Sequence, residues 1–477
     1  MAISANTVWE IRTTGADTNG GGFVAGSGGT DYSQQTSAQV AVADAVANGT
    51  TTLTSATASF TSAMVGSIIY LTGGSGSLAA VRRQVVTYTN ATTVVLDATV
   101  ATGTGITLNL GGCLLSLVEL GSARGMVTSN KAFVQAGSYS QTATATFAAA
   151  GSQGANTIPL SRLIGYSTVR GDGGQPTITL ATNTGLTAIS LTNGGWEIEN
   201  FAINCATLGT SKGVAMGGWQ SILRNVKVSN ATTAGIQVDG GGTIEACELT
   251  GCAGTGAIFA SNNLSQYSTY ITNCWIHGNT CPGVRAASAA GACLVGNLVT
   301  NNTGSTSDGI QLASTGPITV ANNTVYGSGR DGIQHSGSPR AIAILGNIFA
   351  NNGGYGLNFS AGAGWPASPV IDGNAYYSNT SGNRNNVDDT TVNPVNGVSP
   401  YANVFDITAA TTPALTVSPF TSAGTGDFTL NNTAGGGASL RANAPGNSFP
   451  GSTPVGYRDF GAIQHQDSPA NVFWMGD

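Results

Sequence analysis

Residues 308–359 read DGIQLASTGPITVANNTVYGSGRDGIQHSGSPRAIAILGNIFANNGGYGLNF. Three short strands in this stretch open on glycine: GIQLA at Gly309, GIQHS at Gly332 and GLNFS at Gly356. Between them, short β-branched runs end at Asn323 and Asn347. The same two markers extend upstream. The glycine series continues backwards as GVRAA at Gly283, GAIFA at Gly256 and GIQVD at Gly235, while the Asn series reads Asn200, Asn225, Asn273, Asn297, Asn323, Asn347 and Asn374, with Cys247 in the remaining slot. Successive members of the Asn series lie 22 to 27 residues apart. Two markers keeping one period over six units define a repeat architecture.

Each unit offers three segments of three to six residues, such as ITVAN, TVYGS and DGIQH, separated by Gly, Asn and Ser turns. Strands so short are not stable alone. Coiling the chain so that each unit pairs with the one before and the one after satisfies the backbone and stacks one apolar column per sheet. The expected fold is all-β, a parallel β-helix of about ten coils spaced about 4.8 Å apart. Asn side chains in one slot of successive coils are expected to ladder through an internal turn. A β-sandwich would instead show longer alternating strands with turn signals every 8–12 residues or so.

Composition agrees. Of 477 residues, 69 are Gly, and only 8% are charged while 41% are hydrophobic. Low charge with ordinary hydrophobicity argues against a charge-driven disordered chain, and the scarcity of Ala/Leu/Glu/Lys-rich stretches argues against an all-helical one. With 16 basic residues against 22 acidic ones, there is no electrostatic footprint for nucleic acid. The apolar runs are far shorter than the ~18 residues of a membrane span, and no signal peptide is apparent at the N-terminus. The seven cysteines form neither a disulfide-scaffold pattern nor a zinc motif, and are expected to be reduced, mostly buried thiols. No cofactor and no metal are expected.

The repeat resembles the right-handed, pectate-lyase-like β-helix superfamily over roughly residues 125–385. NKAFVQAGSYS (Asn130–Ser140) resembles that family's entry strand and STVRGDGGQPTI (Ser167–Ile178) its following coil; GDFTLNN (Gly426–Asn432) and YRDFGAIQH (Tyr457–His465) resemble closing segments. The whole chain is similar to virion proteins of tailed bacteriophages. The division expected is an N-terminal arm (1–42) anchored by Trp9, Phe23 and Tyr32, a small β-domain (43–120), the β-helix (121–385) and a C-terminal β cap covering the last coil (386–477).

On the Gly-Ile-Gln strands Ile236, Ile310 and Ile333 should point inward. The outward series then reads Gln237, Ile258, Arg285, Gln311, Gln334 and Asn358. The position before each glycine, Ala234, Thr255, Pro282, Asp308, Asp331 and Tyr355, should share that face, with Arg330 and His335 nearby. Arg285, Gln311, Gln334, Tyr355 and Asn358 carry the planar amide, guanidinium and aromatic groups that grip sugar hydroxyls, and are the candidate glycan-binding residues. Asp308 and Asp331, stacked about 5 Å apart, are the candidate catalytic pair of a glycosidase or polysaccharide lyase, with Glu245 or Asp239 as candidate assistants. The competing reading makes SDG and RDG turn sequences whose Asp caps backbone amides. The adjacent acids Asp388 and Asp389 lie outside the periodic region, and His277, His335 and His465 sit in no catalytic motif.

The uninterrupted period, with no inserted loop to wall a groove, favours a non-enzymatic protein. The resemblance implies a virion spike, fibre or decoration protein, made in a host cytoplasm, that stabilises the particle or binds host-surface polysaccharide, and that assembles as a homotrimer or attaches to other virion proteins with the N-terminal arm as its docking element. It implies neither a nucleic-acid partner nor membrane insertion. A glycan-degrading tailspike is the alternative.

Overall fold

The computed structural model describes residues 3–148, 161–182, 185–261, 267–287, 291–360, 370–385, 415–441 and 459–463. Asp388, Asp389 and His465 lie outside them. The chain divides into two compact units, Met1–Ser229 and Asn230–Asp477.

In the first unit, strand Thr7–Ile11 pairs antiparallel with Gly22–Val24 and parallel with Lys131–Gln135. Six antiparallel strands between Val40 and Leu110 close into a barrel around Leu53, Ile69, Leu71, Val85, Ile106 and Leu108. The TNATT segment turns a hairpin there, with Asn90 opposite Thr93. From Lys131 onward the unit is coiled, with strands in parallel register on three faces. Lys131–Gln135, Ser161–Tyr166, Trp196–Asn204 and Ser221–Ser229 follow one another on one face. Ser138–Gln141 and Thr177–Leu180 begin a second, and Ala145–Phe147, Thr187–Leu191 and Lys212–Met216 a third.

The N-terminal segment, expected to be anchored by its aromatics, is woven into this unit. Trp9 is fully buried and donates its indole N–H to Asn130 Oδ1 at 3.0 Å. Phe23 is also buried, and Tyr32 packs on the barrel core. Trp9, Phe23 and Tyr32 therefore pack within their own chain.

The second unit holds seven parallel rungs on one face, from Ala234–Val238 to Gly382–Asn385. Two further parallel sheets run from Gly242–Glu245 to Val370–Asp372 and from Glu248–Thr250 to Ala375–Tyr377. Inward residues stack in apolar columns, such as Ile236, Ile258, Val284, Ile310, Ile333 and Leu357, each wholly buried. The glycine that precedes Ile236, Val284, Ile310, Ile333 and Leu357 has a packing cause. A Cβ at Gly309 would stand 2.2 Å from Val325 Cγ1, and one at Gly283 2.7 Å from Val299 Cγ1, so the facing sheets approach too closely for a side chain.

Two corners per coil are left-handed. Ala246, Asn273, Gly296, Asn322, Gly346 and Gly373 form one series, and Asn230, Gly251, Gly278, Asn301, Gly327, Asn351 and Ser378 the other, all with φ between 52° and 67°. Asn and Gly tolerate that conformation best. The residue after each corner turns inward. After the first corner this yields the expected ladder: Asn297 Nδ2 donates to Asn323 Oδ1 (2.9 Å), Asn323 to Asn347 (3.0 Å) and Asn347 to Asn374 (2.9 Å). Asn273 does not belong to it. It is the left-handed residue, and Cys274 takes the inward slot, its N–H bonded to Asn297 Oδ1 at 3.0 Å. Asn200 and Asn225 in the first unit are likewise left-handed corners rather than buried rungs, although their amides do bond, at 2.8 Å. A second ladder, not expected from the sequence, follows the other corner and includes Asn279 to Asn302 and Asn352 to Asn379, both at 2.8 Å.

Of the C-terminal segment expected to cap the last coil, only residues 415–441 and 459–463 are described. The hairpin of Phe420–Ser422 and Asp427–Leu430, with Leu415, Leu440 and Phe460, packs sideways on Leu298, Tyr326, Ile348, Ala375 and Tyr377. Those residues come from four successive rungs of one sheet, whose outer face is apolar and demands a cover.

Cys113, Cys205, Cys247, Cys252, Cys274 and Cys281 are buried and Cys293 partly so, all as free thiols. Burial pushes Cys252 up to about 11 and Cys281 up to about 12. With thiolates so disfavoured, a chromogenic disulfide reagent at pH 8 should titrate Cys293 alone in the native protein and all seven thiols after denaturation. Three or more fast native thiols would contradict this packing.

Candidate functional site

The outward series on the seven-rung face is fixed by register. Gln237 lies beside Phe259, and the series continues through Arg285, Gln311, Gln334, Asn358 and Asn385. Phe259, not Ile258, is therefore the outward member of its coil. Ala234 pairs with Gly256, which displaces GAIFA by one residue relative to GIQVD, and Ile258 is wholly buried. By the same displacement Gly256, not Thr255, stands in the series with Asp308.

Asp308 and Asp331 do stack on neighbouring rungs, but both are buried rather than facing solvent. Arg330 clamps Asp308 in bidentate fashion, Nε to Oδ1 at 2.7 Å and Nη2 to Oδ2 at 2.5 Å. Asp308 Oδ1 also accepts the Asp331 N–H at 3.2 Å. Asp331 accepts the Tyr355 N–H at 2.8 Å and the Asn358 amide at 2.7 Å. Each carboxylate thus bonds the backbone of the next rung, the capping role of an Asp before a Gly. Burial raises the Asp308 carboxyl above the usual range, against the lowering pull of Arg330. His335, expected near this patch, points inward and is wholly buried, its ring 4.6 Å from that of Phe359.

The candidate glycan-binding groups divide by exposure. Arg285, Gln311, Tyr355 and Asn358 are partly exposed, whereas Gln334 is buried. Arg285 lies 5.6 Å from the centre of the Phe259 ring, a cation–π contact, and its Nε has no hydrogen-bond partner. Gln334 Nε2 donates to Ser360 Oγ at 2.6 Å and its Oε1 is unpartnered. Asn358 Oδ1 accepts from Asn385 at 3.0 Å, continuing an amide row along the face. Asp239 is occupied at this face, accepting from Gln237 Nε2 (2.8 and 2.9 Å) and from Ser261 Oγ. Glu245 stands on another sheet.

Two clusters escaped the sequence reading. In the first unit Glu197 and Glu199 alternate on one strand face, with Arg162 a rung before and Arg224 a rung after. Arg162 contacts Glu197 and Glu199, each at 2.8 Å, and Arg224 also pairs with Glu197. Burial, with Glu199 alongside, raises the Glu197 carboxyl. The alternation in WEIEN was the available signal; the arginines become partners only through coil register. In the second unit Trp275, 40% exposed, stacks on His277 at 3.9 Å, and His277 Nε2 lies 3.3 Å from Glu248. Among the described residues no three metal-ligating side chains converge, and no helix is long and apolar enough to cross a membrane.

Residues 212–398 match the family described as "Right handed beta helix region". With the parallel rungs, this makes the fold a right-handed parallel β-helix. No curated protein sequence matches the chain. Among solved structures, pectate lyase Pel9A is similar at 15% identity, over 74% of this chain and 92% of that one, with a TM-score of 0.49. Tailspike protein 3 of bacteriophage CBA120 is 12% identical over 55% of each chain, with a TM-score of 0.25. The tailspike protein gp49 from Pseudomonas phage LKA1 is 12% identical over 69% of this chain and 66% of that one, with a TM-score of 0.20.

Proposed function

We propose that this right-handed β-helix is a non-enzymatic virion surface protein, a spike, fibre or decoration protein, that assembles as a homotrimer and holds host-surface glycan on its seven-rung face. The observation that carries the non-enzymatic part is the fate of the paired carboxylates. A general acid or nucleophile needs a carboxyl oxygen free to meet substrate, and Asp308 and Asp331 are buried and bonded to Arg330, Asn358 and the next rung's backbone. Beside them, Arg285, Gln311, Asn358 and Tyr355 offer donors and a ring at the surface. Such groups hold sugar hydroxyls without chemistry on the glycosidic bond. Virion membership rests on the whole-chain resemblance of the sequence.

The test is incubation of purified protein with host-surface polysaccharide, scoring retention and products separately. Retention without new reducing ends or unsaturated products is the expected result. Arg285→Ala together with Gln311→Ala should weaken retention about tenfold, the effect of losing one to two hydrogen bonds to a ligand. Products that disappear in Asp308→Asn or Asp331→Asn would establish the tailspike-enzyme alternative instead. Light scattering that shows a monomer would refute the trimer.

A further inference from the structure

We propose that the unpaired edge of strand Ser138–Gln141, in the first unit, accepts an extended, uncharged peptide strand from a partner chain. Each of the three coiled faces of this unit starts with a strand that has no earlier rung to pair with. On Lys131–Gln135 that edge is filled by the chain's own Thr7–Ile11, with Val8 beside Lys131 and Ile11 beside Val134. At Ala145–Phe147 the short helix Leu117–Leu120 packs against the strand. Ser138–Gln141 pairs with Thr177–Leu180 on one side only.

The hydrogen-bond pattern shows which groups are left over. Thr177 N–H donates to Gly137 O at 2.8 Å and Ala181 N–H to Gln141 O at 2.9 Å, so the odd-numbered residues face the next rung. In a parallel ladder the intervening residues face the opposite edge. The N–H and C=O groups of Ser138 and Ser140 therefore point away from Thr177–Leu180, the strand paired with Ser138–Gln141 among the described residues, and no turn or loop backbone bonds to them there. A groove of about 460 Å³ runs along this edge, with Thr13, Leu115 and Ser116 on the opposite bank. That is within the range of ligand-binding clefts.

The spacing of the free groups selects the occupant. Donors and acceptors that recur every second residue along a straight edge are matched by another extended backbone, the basis of strand addition. Charge selects further. Among the described residues lining the groove the one acidic side chain, Asp17, is taken up by the N–H groups of Leu115 (3.1 Å) and Ser116 (2.9 Å) and by Ser116 Oγ (2.7 Å). The rest of the lining is hydroxyl groups, the Gln141 amide and apolar side chains such as Val118, Ala143 and Leu115, the last 42% exposed, which suits small polar and apolar side chains. Thr7–Ile11 is already committed to the neighbouring face, and the strand assigned to this edge is that of a second polypeptide. This surface is separate from the glycan face, so either assignment stands or falls alone.

The test follows backbone amide exchange in the full chain, with the acetylated and amidated hexapeptide TVSVTV as probe. In the protein alone the Ser138 and Ser140 amides should exchange rapidly. Saturating peptide should slow them by at least about tenfold, as expected for amides newly placed in a strand ladder. The same peptide N-methylated at alternate residues should not slow them. Ser140→Pro should abolish binding, because it removes an edge donor while leaving the inner ladder intact. Leu115→Lys, which leaves the strand backbone untouched, should weaken it. Four results would overturn the proposal: amides already protected without peptide, equal protection by the N-methylated peptide, protection by maltohexaose, or no protection by any of them.

Discussion

Asn323→Ala should lower the stability of the second unit by about 3–5 kcal/mol, read as a shift of its urea midpoint, since each buried polar group left unpaired costs about 1–3 kcal/mol. The Asn323 side chain is wholly buried. Its Oδ1 accepts both the backbone N–H and the side-chain amide of Asn297, each at 2.9 Å. Its Nδ2 donates to Leu294 O at 3.0 Å, Ala321 O at 3.1 Å and Asn347 Oδ1 at 3.0 Å. Alanine strands groups on both adjacent rungs, and the corner is too enclosed for water to replace the amide without reshaping it. Asn301→Gly is the control. Asn301 is an exposed left-handed corner with φ of 53°, and glycine meets that backbone requirement, so the change should stay within about 0.5 kcal/mol. Equal effects at the two positions would mean that the ladder contributes no more than the corner conformation.

Glu10→Ala should cost the first unit about 3–5 kcal/mol, the usual consequence of removing one member of a buried ion cluster. Glu10 is wholly buried. It accepts from Arg12 Nε at 2.8 Å, from Arg170 Nε and Nη2 at 2.9 and 2.6 Å, and from the Tyr166 hydroxyl. Without the carboxylate two guanidinium groups face each other, and only Arg170 keeps an acidic partner, Asp31 at 3.1 Å. The Tyr166 hydroxyl loses its acceptor. Because Glu10 sits on Thr7–Ile11 and Arg170 beyond strand Ser161–Tyr166, this cluster ties the N-terminal strand to the coils, and limited proteolysis should release that strand first in the variant. A urea midpoint unchanged from wild type, with the strand still protected, would contradict this account. Glu10→Gln, which keeps an acceptor for Tyr166 but not the charge, should fall between the two.

Both experiments act on residues whose importance was unequally legible. Asn323 was marked by its period, because an Asn recurring at one point of a coil is visible without coordinates. Glu10 stands in the non-periodic N-terminal arm, and nothing near it in the chain announces Arg170. The candidate site shows the same division. Alternation along GIQ strands assigned Ile310 and Ile333 inward and Gln311 outward, and the structure agrees. It misplaced Ile258 because one coil carries an extra residue before its strand, and a slip of one residue exchanges the two faces.

The sequence by itself determined that the chain is all-β, that it coils with a period near 25 residues, and that the isoleucines of its Gly-Ile-Gln strands line the interior. These follow from composition and from side-chain alternation, both local properties of the chain. Only the tertiary structure decided register from rung to rung, which Asn are buried rungs and which are left-handed corners, and that Asp308 and Asp331 are occupied by Arg330 and backbone amides. It also decided that the C-terminal hairpin covers the side of the second unit, and that one first-rung edge stays open. Each of these depends on what lies one coil away, and turns of unequal length set that neighbour. The identity of an Asp or an Asn states what it can bond; the adjacent coil supplies the group it does bond.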